Sequence, residues 1–556
     1  MATEFTNIII SDTTGEIITY TKLSVWNCVA KAWSPAAKVV LRNILLAAYH
    51  PHPKERFCIG EIPETAKDHR LLNPFKPDSS PYFLDLASGS RTHGRFTFSI
   101  DPVGKFYYGE DWKRIIYGSI VHTGCKRLTY NKAIAYVITD DENRDKDGNP
   151  LDDPINNRHW GTGDSHAKAS GAFMAFMGVA PIELPDGQEV DTPVQFRVGK
   201  FKEWVGKGTV AHNPDMDGSG IDLAIPLSSL KGNKPRLGNH QGNLLFGIVF
   251  EAEERRAKIG WMFMQWFSFD TLQEDGIITK LTQKCQKLRD AYNDIQQLAE
   301  VLRISQEEAE AELQESDTLQ SEAEYENTMI RIIRADKNGV LLLHPYVVRR
   351  VKERMRSLWL NLAKSAGVRF FSLMTQPDET FRKYHIYKDG RITGGKVFCA
   401  ADFDEGEYIV FCNPMRHWGD VQLWQNKHEG LYTHSHGTMA TSTELFLSLG
   451  RDFDGDFVQL IKSSAYPAIA NEIRNFSDTP NVDKLPKVAL TGSIQQIAIN
   501  SMSDLTGVVA SLLGRMRVAN AENVVLLIPL VVNRLNQRNL GLLISLVKNC
   551  KLQWIH

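Results

Sequence analysis

Cysteine is scarce in this chain. Cys28, Cys58, Cys125, Cys285, Cys399, Cys412 and Cys550 are scattered along 556 residues, and no CxxC pair occurs. That pattern excludes a disulfide framework and a Cys-rich zinc site, and predicts a reducing, cytoplasmic compartment. Long apolar runs are missing too. Near the C-terminus the longest, Val524 to Val532, is broken by Pro529 and falls far short of the roughly 20 residues of a membrane helix. The first residues, MATEFTNIIISDTTGE, have no basic stretch and no long apolar core, so no signal peptide and no membrane partner are expected. No charge sign dominates either: Lys plus Arg is 64, Asp plus Glu is 66, and the net charge is -2. A sequence-independent nucleic-acid coat is therefore excluded, while an enzyme with a locally basic groove is not. Hydrophobic residues at 42% and charged residues at 23% exclude wholesale disorder.

Common nucleotide and hydrolase signatures are also absent. The segment GKFKEWVGKGT around Lys207 fails the Walker A spacing, no GxGxxG follows a strand, and no GxSxG occurs. What is present is an alternation of β-rich and helical stretches, which predicts an α+β chain of three or four domains at about 150 residues each. Residues 1–114 read as a mixed α/β scaffold, with strands at IIISD and RFTFSI and a helix over Ala30 to Tyr49. Residues 115–268 hold strand-like runs such as KAIAYVITDD, VQFRVGKF, IDLAIPL and LLFGIVFEAE, separated by Gly, Asn and Asp turns. This spacing suggests a closed or sandwich-like β unit.

Residues 269–340 read as a helical hairpin connector. Leu281, Leu288, Ile295 and Leu302 recur every seven residues, and Ser305 with Glu308 forms a capping box. Residues 307–326 hold nine acidic and no basic residues, read as a solvated arm or as a docking surface for a basic partner. A basic helix follows around VVRRVKERMRSLW, whose Arg349, Arg350, Lys352, Arg354 and Arg356 cannot all share one face. Strands return in VRFFSL, GEYIVFC and DFVQLI within a unit at 341–465, and 466–556 reads as helical and apolar.

The chemistry concentrates in LGRDFDGDFVQL, residues 449–460. Asp452, Asp454 and Asp456 lie at i, i+2 and i+4, which in an extended chain puts their side chains on one face. Gly455 permits a tight turn or a close approach to a ligand. Clustered carboxylates repel unless cations join them, so a hard divalent ion is implied. Mg²⁺ binds carboxylates together with substrate phosphates, which suits phosphoryl or nucleotidyl transfer. A calcium EF-hand is excluded, because its sixth and twelfth positions, Phe457 and Ser463, are not Gly and Glu. NPDMDG at 213–218 imitates half of such a loop but reaches Ala224 at the twelfth position. A solvated acidic turn is disfavoured by the flanking Phe453 and Phe457.

DFDGD resembles the metal-binding signature of RNA polymerases built on two double-psi β-barrels. These include the RNA-directed polymerases of gene silencing and compact single-chain phage polymerases. FCNPMRHWGDVQLW, from Phe411 to Trp424, is similar to the NPxxHxGDV segment of the silencing type through Asn413, Pro414, His417, Gly419, Asp420 and Val421. VQFRVGKFKEWVGKGTVA resembles the first barrel's Q-x-R … K-G strand pair through Gln195, Arg197, Lys207 and Gly208. IPLSSLKG resembles the segment bearing that barrel's second lysine, here Lys231. A weaker likeness to a D … GxG segment involves Gly161 and Gly163, and DLTGVVASLLGRM after 503 resembles a bridge-helix-like region.

The resemblance implies two double-psi barrels, at 115–268 and 341–465, joined by the helical connector. It implies a template-directed RNA polymerase working through two-metal nucleotidyl transfer. Asp452, Asp454 and Asp456 would hold Mg²⁺, or Mn²⁺ in its place. Lys207 and Lys231 would stabilise phosphate charge. Gln195, Arg197, Asn413, Pro414, Arg416 and His417 become candidates for nucleotide or nucleic-acid contacts. The implied partners are a nucleic-acid template, the RNA product, nucleoside triphosphates and an accessory subunit. Small size favours a DNA template over RNA; a silencing-type RNA-directed enzyme and a primase-like enzyme are the alternatives. A metal nuclease and a non-catalytic nucleic-acid-binding relative are the rivals of other classes. One departure stands out. Where cellular polymerases carry an arginine two residues before the proline, this chain has Cys412, which weakens the basis for ribonucleotide selectivity.

Overall fold

The structure is a computed structural model. It describes residues 8–11, 17–42, 57–87 except 64, 94–100, 102, 115, 117, 125–138, 165–178, 182–183, 189–190, 194–201, 204–213, 216–231, 235–291, 294, 297–298, 301, 333, 335–336, 338–365, 368–413, 415, 417–433, 435–479 and 491–501. The acidic run 307–326, Gly161, Gly163, Pro414, Arg416 and the stretch after 503 lie outside these residues.

The N-terminal sheet is built from β1 (Ile8–Ser11), β2 (Ile17–Asn27), β3 (Ala32–Arg42), β4 (Phe57–Glu61), β5 (Phe83–Ala87) and β6 (Arg95–Ser99). Their order is β1-β2-β4-β6-β5, with β3 also on β2. The helix expected over Ala30 to Tyr49 is thus a correction: from 32 to 42 the chain is a strand. Two physical reasons favour it. Pro35 lacks a helical N–H donor, and Val39 and Val40 are β-branched. The turn is set by Asn27, whose Oδ1 accepts from the N–H groups of Val29 (3.0 Å) and Ala30 (2.9 Å), and by Lys31 at φ 50°.

A closed barrel follows. It comprises β7 (Lys126–Ile138), β8 (His166–Ala169), β11 (Val194–Phe201), β12 (Trp204–His212), β13 (Leu223–Pro226) and β14 (Gly238–Glu251), in the order β11-β12-β8-β13-β7-β14. Only β12 with β8 and β13 with β7 run parallel. A short ladder, β9 (Ile182–Glu183) with β10 (Glu189–Val190), stands apart. Alternation sets the barrel's two faces. Ala167, Ala169, Val210, Leu223, Ile225, Leu244 and Phe246 fill the interior with Phe173 and Met174 of helix α1 (Gly171–Phe176). His166, Lys168 and Thr209 are buried as well, yet none belongs to that apolar core.

The second β unit is a seven-stranded sheet. Its strands are β15 (Arg255–Lys258), β16 (Arg369–Pro377), β19 (Val397–Phe398), β20 (Gly406–Phe411), β21 (Gln422–Asn426), β22 (Thr438–Thr441) and β23 (Phe457–Lys462). The order is β15-β16-β23-β20-β21-β19, with β22 also on β16. A hairpin of β17 (Ile386–Lys388) and β18 (Arg391–Gly394) projects from it. Strand β15 sits within 115–268 in sequence but pairs with β16. Ile259, Phe263 and Trp266 likewise pack with Phe370, Ile409 and Phe411. The connector is therefore inserted within the second sheet, between its strands β15 and β16.

Within the connector, α2 (Phe269–Glu274) leads into α3 (Ile277–Asp290). Leu288 of α3 packs against Val347, Val351, Met355 and Leu358 of α4 (Pro345–Ser365), the basic helix. Leu281 instead packs toward the second sheet's core, and Ile295 and Leu302 lie outside the described residues. Burying one side of α4 leaves Arg349, Lys352 and Arg356 in one exposed row. Helix α5 (Thr443–Ser448) precedes the acidic triplet. Helix α6 (Pro467–Ile473) has its first N–H groups held by Asp275, at 3.0 Å from Ala468 and 2.8 Å from Ile469. Helix α7 (Ile494–Ser501) returns to the N-terminal sheet, where Ile497, Ala498 and Ile499 join Trp26, Phe96 and Phe98. Among the described residues no helix is long and apolar enough to cross a membrane.

Candidate active site

The triplet occupies the turn between α5 and β23. Of the two conformations the sequence allows there, an extended chain or a tight turn at Gly455, the structure has the turn. Residues 452–456 bend, and Gly455 takes φ 106°, a conformation that favours glycine. The bend brings one carboxylate oxygen from each of Asp452, Asp454 and Asp456 within 4.8 Å of the others. Among the described residues this is the one cluster of His, Cys, Asp or Glu side chains able to hold a metal ion. Charges that close repel by about 3–4 kcal/mol per pair at an effective dielectric of ~20.

Several contacts hold the turn against that repulsion. Phe453 is fully buried, packs on Phe446 at 5.0 Å, and contributes roughly 2–3 kcal/mol by leaving water. Its carbonyl accepts from Thr209 Oγ1 at 2.7 Å, a hydrogen bond arriving from the barrel. The Asp456 carbonyl accepts from the Thr375 N–H (3.3 Å) and Oγ1 (3.2 Å) of β16. Within the turn the Asp454 N–H donates to Asp452 Oδ1 at 3.2 Å.

Facing the triplet is the outer side of the barrel. Lys207 of β12 pairs through Nζ with Asp454 Oδ2, and both side chains are largely shielded, at 21% and 17% exposure. Lys231 lies close by, with Nζ donating to the Ser228 carbonyl and to Ser165 Oγ at 3.5 Å. Burial pushes the Asp454 carboxyl up, but Lys207, Asp452 and Lys231 outweigh it and hold it below the usual carboxylate value. Asp456 goes the other way. Burial raises it and the Asp454 charge adds to that, while Arg451 and Lys207 only partly oppose the rise.

Gly208, between Lys207 and Thr209, explains how the strands come so close. A Cβ there would strike the Ser165 carbonyl, and Ser165 itself sits at φ 59°. Such a left-handed conformation costs a non-glycine residue roughly 1–2 kcal/mol. The Ser165 N–H donates to Ser228 Oγ at 2.5 Å, and its carbonyl accepts from the Thr209 N–H at 3.2 Å, so the position is pinned on both sides.

The other candidates are placed as follows. Gln195 lies opposite Thr209 in the β11–β12 ladder, and Arg197 falls in the irregular stretch between Phe196 and Gly199. Asn413 is exposed and contacts Gln459 Oε1 at 3.5 Å. His417 is buried, with Nδ1 accepting from the Gly419 N–H at 2.9 Å and its ring 4.1 Å from Trp418, so it shapes the turn that follows. Asp420 is buried and accepts from Thr479 Oγ1 at 2.8 Å. Cys412 turns into the apolar core around Tyr408 and Trp424. Sequence reasoning passed over Ser165, Thr209 and Arg451. The basic residue directly before the triplet was the one available signal for Arg451.

The donor set fits a hard divalent cation: three carboxylates, no sulfur or imidazole, and a lysine supplying positive charge at Asp454. Comparison of the whole fold with solved structures then gives a match. The RNA-dependent RNA polymerase QDE-1 from Thielavia terrestris superposes with a TM-score of 0.55 at 10% identity, over 93% of this chain and 64% of that protein. The chain is similar in fold to an RNA-dependent RNA polymerase. This chain spans 64% of that protein's length. No family pattern and no curated protein matches the sequence.

Proposed function

We propose that this chain is a template-directed RNA polymerase, a nucleotidyltransferase that joins ribonucleoside triphosphates. One observation carries the reading: the barrel's Lys207 meets Asp454 of a half-buried carboxylate triplet on the second sheet. A lysine opposite clustered carboxylates is the arrangement that phosphate transfer needs, with positive charge on both sides of the phosphate. We also read the closed barrel as a double-psi barrel, on the strength of its two parallel strand pairs and the fold likeness.

Asp452, Asp454 and Asp456 would hold Mg²⁺ or Mn²⁺. When bound, the divalent ion supplies Lewis-acid activation of the RNA 3′-hydroxyl and neutralises charge on the leaving pyrophosphate. The chain's own residues do the rest. Lys207 exchanges its carboxylate partner for an incoming phosphate oxygen. Lys231, steadied by Ser165 and Ser228, adds a second cation for the triphosphate. Arg451 balances charge beside Asp456. Gln195, Arg197, Asn413 and Arg416 are the candidates for nucleotide or template contacts, and His417 shapes the turn at Gly419.

The template class has two readings. The motifs are shared with single-chain phage enzymes and so are compatible with DNA, whereas the fold neighbour is named as RNA-dependent and favours RNA. Extension assays on single-stranded DNA and RNA templates, with ribo- and deoxyribonucleotides side by side, decide between them. Metal-dependent, templated ribonucleotide incorporation that stops with chelator is the expected result. Template degradation without nucleotide dependence would show a nuclease, and neither activity would leave a nucleic-acid-binding protein.

A further inference from the structure

The barrel face that presents Lys207 carries a second lysine that the proposed chemistry does not use. Lys168 of β8 is 1% exposed and points away from the barrel core, which takes its neighbours Ala167 and Ala169. Its Nζ lies 4.3 Å from the centre of the Tyr432 ring and has no hydrogen-bond partner among the described residues. A buried ammonium without a partner is costly, so its location calls for an explanation.

The groups around it are few. Asp378, on the turn after β16, is the carboxylate that acts on it. That carboxylate is already held by the Thr380 N–H (3.0 Å), Thr380 Oγ1 (2.7 Å) and the Leu431 N–H (2.7 Å). Glu379, next in the chain, accepts from the Thr443 N–H at 2.7 Å. On the β13 side Lys168 is paired with apolar Ala224. Two residues back, His166 stacks 6.5 Å from Phe453, and burial, then Lys168, holds its ring well below the usual histidine value. Thr209, in register with His166, donates to the Phe453 carbonyl. One face of the barrel is thus fastened to the triplet's sheet at Phe453 and at Tyr432.

We propose that Lys168 makes the junction pH-sensitive: held against Tyr432 beside Asp378, where the barrel meets the second sheet, it links the placement of Lys207 opposite Asp454 to whether its own buried amine carries a proton. Burial lowers the Lys168 ammonium from 10.5 to about 7, with Asp378 opposing the fall. In an opened seam, where water reaches it, the amine returns to the ordinary lysine value. Closing therefore releases a proton between those limits. The closed seam gains about tenfold in equilibrium constant for each pH unit from about 7 upward. Below about 7 both forms are protonated and the gain is absent.

The role of Lys168 rests on the proposed function only for its effect on synthesis, so its test has a readout that needs no activity. Reductive methylation of the full chain, followed by mass spectrometry, compares Lys168 with exposed Lys388 in the same molecule. The expected result is strong protection of Lys168, with the Lys388-to-Lys168 rate ratio rising about tenfold per pH unit between 7 and 9. A ratio that stays flat with pH, or equal rates, overturns the proposal. In the second arm, Lys168→Met keeps the length and removes the titrating amine. Its unfolding midpoint should lose the rise with pH that the parent chain shows, and its apparent Mg²⁺ requirement for nucleotide incorporation should no longer ease as pH rises. Identical pH profiles for parent and variant overturn the proposal. If the variant does not fold, the methylation ratio on the parent chain decides alone. If neither chain incorporates nucleotide while the ratio rises as expected, the polymerase reading fails and the seam stands.

Discussion

The barrel and the second sheet are made of similar β-branched and aromatic strands, yet they turn opposite charges toward each other. The barrel contributes Lys207, Lys231 and the buried Lys168; the sheet contributes Asp452, Asp454, Asp456 and Asp378. Each set would be repulsive by itself. The difference teaches that the site belongs to the junction rather than to either unit, and that Thr209, Phe453, Lys168 and Tyr432 matter because they fix that junction.

The comparison can be broken at several points, from large effects to small. Asp454→Ala removes both a carboxylate of the proposed metal set and the partner of Lys207; ribonucleotide incorporation should fall by about 10³-fold or more, with an unchanged circular-dichroism spectrum. Unimpaired synthesis would sink the assignment of the triplet. Lys207→Met should cost roughly 10²-fold in kcat, and Lys207→Arg should recover little, because a planar guanidinium does not replace a point charge at that spacing. Gly208→Ala places a methyl against the Ser165 carbonyl. It should destabilise the chain by about 1–3 kcal/mol in denaturant titration and displace Lys207. An unshifted unfolding midpoint would show that β8 and β12 have room to part. Thr209→Val removes the hydrogen bond to the Phe453 carbonyl. It should cost about 1 kcal/mol in stability and raise the Mg²⁺ needed for half-maximal synthesis, the smallest change of the four.

The sequence made the parts with a chemical signature legible. Asp452, Asp454, Asp456 and Lys207 stand together as their motifs suggested, because their residue types and spacing carry the information. Geometry that depends on packing was not legible. Gly455 allowed a turn at the triplet, but the spacing i, i+2 and i+4 does not say that the carboxylates converge through it with Phe453 buried beneath. Residues 32–42 look helical by apolar spacing, but pairing with β2 makes them a strand. Lys168 carries no signal in the sequence, since nothing in HAKAS announces a facing ring from Tyr432 more than two hundred residues away. Strand β15 was grouped with the barrel because its true partner, β16, comes only after the connector.

The insertion of the connector between β15 and β16 also orders events during synthesis on the ribosome. All six barrel strands lie between Lys126 and Glu251, so the barrel has its complete set of partners as soon as that stretch emerges. Strand β15 emerges next and must wait with an open edge until Arg369–Pro377 has been made. The N-terminal sheet waits longest, because Ile497, Ala498 and Ile499 finish its core. The first-made unit is thus closed among the last, and nascent chains stalled before residue 494 should expose the Trp26–Phe98 surface to proteases and chaperones while the barrel is already resistant.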